Sequence, residues 1–215
     1  MSDAVAQSHN RHLRLNPALA ATLLAYGAFG LTFRGPRSRF WQRMTGTALT
    51  LGGLSLAADP ELRRLRWRGR DLVLGSGLAA GLYLVFAAGD RGARRVLPGG
   101  ADDIQAIYAL RQLRSRPELA LRLALLIAPA EELFWRGLLQ RSLVRRLGRP
   151  RGAALASALY GGAHLCTGNL TLIGAAAVAG GAWSGVAELG MPMPALITSH
   201  VLWDVWIFLV RPTHA

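Results

Sequence analysis

The sequence predicts an all-α membrane protein, a polytopic bundle of about six to eight transmembrane helices around an intramembrane polar site. Three observations carry that expectation. Hydrophobic residues make up 52% of the 215-residue chain and charged residues only 17%, with a positive mean hydropathy, which is too apolar for an ordinary soluble domain. The charge is also segregated: all 25 basic residues are Arg, against 12 acids, and they cluster between uncharged stretches about as long as a bilayer is thick. Finally, Glu131, Glu132, Arg136, His164, His200 and Asp204 fall inside apolar stretches, where such groups belong only if they face an interior cavity. The basic excess is therefore assigned to loops against lipid headgroups, with no nucleic-acid partner. A single cysteine, Cys166, excludes an internal disulfide.

Along the chain, residues 15–33 follow Arg11 and Arg14 without a charge and are long enough to span the ~30 Å hydrocarbon core. No small-residue cleavage site separates this run from Arg34, Arg37 and Arg39, so it is expected to be retained as an anchor. Residues 44–58 are uncharged but short, which fits a thin span or a re-entrant segment. After the cluster Arg63, Arg64, Arg66, Arg68 and Arg70, residues 72–89 form a clear span. Residues 90–118 alternate charged and apolar positions, and the spacing of Ile104, Ile107, Tyr108 and Leu110 predicts a helix lying on the bilayer surface. Four further spans are expected at 119–139, 153–165, 170–187 and 195–210. In the second of these, Ala154, Ala158 and Gly162 recur at four-residue spacing, which predicts close helix approach on that face. Arginine is nearly balanced between alternate loops and does not orient the bundle.

A charged side chain at the centre of a membrane helix costs about 2.5–3.5 kcal/mol even on the insertion scale, so Glu131, Glu132, Arg136 and Asp204 must be compensated by what they do. Of the five histidines, His9, His12 and His214 lie in the tails, whereas His164 and His200 lie inside spans. Adjacent on a helix, Glu131 and Glu132 point about 100° apart and cannot share one partner. Glu132 and Arg136, four apart with the acid first, are placed to pair, leaving Glu131 as the unpaired carboxylate. Pro129 lacks an N–H and opens the helix at Leu125. Tyr160 and His164, and likewise His200 and Asp204, are four apart and share a face. Trp135, Trp203 and Trp206 are read as packing or belt aromatics.

These residues carry a resemblance. Ala128-Pro129-Ala130-Glu131-Glu132-Leu133-Phe134-Trp135-Arg136-Gly137 resembles the first motif of the CPBP family, the CAAX proteases and bacteriocin-processing enzymes also called the ABI family. Tyr160-Gly161-Gly162-Ala163-His164 is similar to the second, an aromatic residue four before His and usually Phe. His200-Val201-Leu202-Trp203-Asp204 resembles the third, where Asn is commoner than Asp at the last position. The resemblance covers about residues 100–210. It divides the chain into amino-terminal helices with Arg-rich loops (1–100), which match nothing specific, and a CPBP-like catalytic core (101–215).

The resemblance implies an intramembrane endopeptidase of the glutamic type acting on a membrane-associated protein or peptide, and the all-Arg, Ala- and Gly-rich composition suggests a bacterial inner membrane. Carried over, Glu131 and His164 activate water, His200 and Asp204 stabilise the oxyanion, and Glu132, Arg136 and Tyr160 support them. No cofactor is expected. Zinc is the rival, since two His and several carboxylates are plausible ligands, but the HExxH arrangement is absent. A transporter or a non-catalytic membrane regulator are further alternatives. Asp204 accepts hydrogen bonds where Asn also donates, so it is expected either to be protonated or to stay ionised and hold His200 as imidazolium.

Overall fold

A computed structural model describes residues 17–97 and 99–212; Arg11, Arg14, His9, His12 and His214 lie outside the described residues. The described chain is helical, in eight elements. These are α1 (Pro17–Arg34), α2 (Phe40–Ala58), α3 (Gly69–Val96) and the short α4 (Gly100–Ala109), then α5 (116–147), α6 (Arg149–Ala163), α7 (Leu170–Glu188) and α8 (Met193–Val210). Among the described residues, α3, α7 and α8 are long and apolar enough to cross a membrane, and the chain is an integral membrane protein. Residues 44–58 belong to one continuous helix from Phe40 to Ala58.

Helix ends follow local chemistry. Ser115 accepts the N–H of Glu118 at the start of α5, with Pro117 in the first turn. Gly148 ends α5 at φ 79° and ψ 165°, a conformation essentially reserved for glycine, and frees Pro150 to open α6. Asn169 caps α7 by accepting the N–H of Leu172.

Helix α5 is not uniform. Leu123–Ile127 and Leu133–Gln140 are π-helical, with Glu131 and Glu132 on the short α-helical turn between them. The first wide turn closes with the Ala128 N–H donating to the Leu123 carbonyl, directly before Pro129, whose missing N–H leaves the α-helical ladder incomplete. A third π turn, Trp206–Val210, ends α8 just beyond Asp204.

One apolar core joins α1 and α2 to α5 and α6 through Phe29, Leu51, Leu119, Phe134 and Trp135, and a second joins α3 to α7 and α8 through Leu82, Trp183 and Leu196. Two expectations need correction. Ala154 and Ala158 face outward, and α6 buries Gly152, Ala156 and Tyr160 instead, a face about 200° away, because Tyr160 must point inward. Helix α4 turns Ile104 and Tyr108 into the protein rather than onto a bilayer surface: both are buried, and Asp103 ties the helix to the start of α7 by accepting from Asn169 Nδ2 and the Thr171 N–H.

Helices α3 and α8 approach most closely at Gly75, where an added Cβ would lie 2.6 Å from both the Ala195 carbonyl oxygen and Thr198 Cβ. Gly75→Val is expected to cost about 1–3 kcal/mol or more by overpacking, read as a lower Tm in detergent. Gly77→Val, with nothing within 4 Å of its added Cβ, is the matched control and is expected to shift Tm little.

Candidate active site

Arg136 and Glu132, buried to 3% and 0% exposure, form the innermost part of the site. Arg136 Nη1 donates to Glu132 Oε1 at 2.9 Å, the pairing that their four-residue spacing predicts. The same oxygen lies 2.8 Å from His200 Nδ1, so Glu132 binds α5 to α8 as well as to its own helix. Arg136 Nη2 also donates to the Gly180 carbonyl of α7 at 3.4 Å, and its guanidinium lies 4.6 Å from the Tyr160 ring centroid and 5.3 Å from that of Trp183. One buried ion pair thereby touches four helices.

His200 is held on every side. Its other nitrogen, Nε2, lies 3.7 Å from Asp204 Oδ2, and Trp183 stacks on the ring at 4.1 Å with its own N–H donating to Ser199 Oγ. Asp204 is therefore the more distant of two carboxylates flanking His200, and Glu132 the nearer. Sequence spacing reaches Asp204, one turn away on the same helix. It gives no sign of Glu132, 68 residues earlier, or of Trp183, which sits in an uncharged run.

Glu131 makes no ion pair among the described residues; its Oε2 accepts from the Tyr160 hydroxyl at 3.4 Å. His164, at the end of α6, packs against Phe29 and Tyr160, and its Nδ1 lies 3.0 Å from the Tyr160 carbonyl oxygen. A carbonyl only accepts, so Nδ1 carries the proton and Nε2 is left with its lone pair in the neutral ring.

A cavity of about 550 Å³ collects these groups. Glu131, Tyr160, His164, His200 and Asp204 all line it, while Glu132 and Arg136 lie behind its wall. The rest of the lining is mostly apolar, from α1 to α4 (Phe33, Trp41, Phe86, Ile104) and from α7 and α8 (Ala176, Phe208). Trp203 lines it too, so this residue is a wall of the cavity, whereas Trp135 is buried packing and Trp206 is half exposed. The groups are those of general acid–base chemistry, on the wall of a mostly apolar cavity.

Residues 115–206 match the family model described as type II CAAX prenyl endopeptidase Rce1-like, and that span contains every one of these polar groups. This stretch, somewhat under half of the chain, is similar to the CAAX proteases. The CPBP resemblance thus stands, and the family is one of endopeptidases. No curated protein and no solved structure matches the chain.

Because Glu132 is buried with Arg136 as its one permanent cation among the described residues, Arg136→Ala is expected to destabilise the fold by about 3–5 kcal/mol, read as lost Tm and yield in detergent. Normal stability with lost activity would instead make Arg136 a participant in the chemistry.

Proposed function

We propose that the chain hydrolyses a peptide bond in a membrane-associated protein or peptide, with Glu131 and His164 activating the attacking water and His200, steadied by Asp204, facing the oxyanion. The observation that carries this reading is the convergence of Glu131, His164, His200 and Asp204, from three helices, on one apolar cavity. Water held between Glu131 and the free Nε2 of His164 attacks the scissile carbonyl carbon. Its proton passes to Glu131, and the carbonyl electron pair moves to oxygen. The Nε2–H of His200, 3.7 Å from Asp204 Oδ2 and so not tied to it by a hydrogen bond, donates to that negative charge. Collapse of the tetrahedral adduct breaks the C–N bond, and the leaving nitrogen takes the proton from Glu131.

A metal-free site is the better fit to the donors. A zinc site would need a cluster of donors, and among the described residues no group of three or more His, Cys, Asp or Glu is arranged to hold a metal ion. The all-Arg, Ala- and Gly-rich composition favours a bacterial source and a cytoplasmic-membrane location, with a membrane-anchored protein or peptide as substrate rather than a prenylated tail.

The test compares membrane proteins in strains carrying the wild type, a deletion and Glu131→Gln. Glu131→Gln keeps volume and removes the base, so it is expected to fold normally and to accumulate the same uncleaved leaders or tails as the deletion. Cleavage at the wild-type rate would overturn the glutamate mechanism, and loss of cleavage on chelation with metal-dependent recovery would overturn the metal-free reading. Asp204→Asn, which keeps the shape and adds a donor, is expected to retain most of the cleavage, whereas a drop of about a hundredfold would show that the charge itself is required.

A further inference from the structure

We infer that Tyr160 is the positioning residue of the water-activating pair, holding Glu131 with its side chain and His164 with its main chain. This rests on the proposed roles of those two residues and adds the device that aims them. The phenol is 5% exposed, on the wall of the cavity. Burying a hydroxyl costs free energy unless it finds a partner, and a phenylalanine would fill the same space without that cost. Among the described residues the one partner of this hydroxyl is Glu131 Oε2. The bond is long at 3.4 Å, as catalytic hydrogen bonds often are before substrate binds.

The ring that carries the hydroxyl is clamped. Arg136 lies 4.6 Å from its centroid, Trp135 meets it edge-on at 5.3 Å, and His164 packs at 5.2 Å. On the fourth side Gly180 makes room: an added Cβ there would lie 2.7 Å from Tyr160 Cδ1. A ring so fixed delivers its O–H to one point. With Oε2 of Glu131 taken, Oε1 is left for the water. The carbonyl of the same residue fixes His164 Nδ1, which turns Nε2 toward the same chamber. One residue thus sets two orientations, those of a base and an acceptor on the wall of the same cavity.

The experiment uses the full chain in lipid nanodiscs and a quenched peptide spanning the cleavage site mapped by comparing the wild-type and Glu131→Gln strains. Tyr160→Phe keeps the ring, its cation–π contact and the main-chain bond to His164, and removes only the hydroxyl. The expected result is a kcat about 10- to 100-fold lower with KM within about twofold and Tm unchanged. Tyr160→Phe with wild-type kcat, while Glu131→Gln is dead, would overturn the positioning role and leave the base assignment standing. A lower Tm with unchanged kcat would make the hydroxyl structural and overturn it equally. An active Glu131→Gln would overturn the base assignment and this proposal together.

Discussion

Burying an arginine and a glutamate together inside an apolar bundle is the constraint on which the remaining architecture turns. Neither Arg136 nor Glu132 has appreciable contact with solvent or lipid, and desolvating two charges is repaid only when geometry and further hydrogen bonds are both good. The fold supplies these from separate helices: the His200 ring nitrogen from α8, the Gly180 carbonyl from α7, and aromatic faces from Tyr160 and Trp183. Each contact fixes a helix rotation. Once α5, α7 and α8 are phased by the ion pair, Glu131 has one direction left, into the cavity, about 100° round the helix from Glu132. In this sense the ion pair orients the candidate groups without lining the cavity they share.

Legibility in the sequence followed distance along the chain. Pairs one helical turn apart were readable: Glu132 with Arg136, Tyr160 with His164, His200 with Asp204. So was the local disturbance at Pro129, because a missing N–H has a fixed consequence for the ladder around it. The all-helical class followed from the clustering of arginine between apolar runs. What failed was orientation. Small residues at 154 and 158 have the same period as the face that packs, and periodicity alone does not say which of two offset faces meets a neighbour. The apolar positions of α4 likewise announce a one-sided helix without saying whether lipid or protein covers that side.

The residues that sequence reasoning overlooked share a cause. Trp183, Ser199 and Gly180 sit in uncharged stretches and carry no mark of polar work, yet they stack on, orient or make room for the groups that do. Their roles come from contacts across 16 to 44 residues, between helices whose rotation the sequence leaves open. A second aromatic within stacking distance of a histidine is a property of the assembled bundle.

The wide turn at Leu123–Ile127 has a bearing on how this helix tolerates change in length. A π turn accommodates one residue more than an α-helical turn over nearly the same rise, so it absorbs a residue in the middle of α5. Loss of one residue there would let the helix relax to regular winding with the carboxylates in nearly the same phase, whereas the same loss in a regular stretch of α5 would turn them by about 100°. Insertions and deletions in the regular stretches of α5 therefore act on the chamber as rotations as well as translations. The surplus residue upstream of Pro129 is one that the helix can lose without re-aiming the carboxylates.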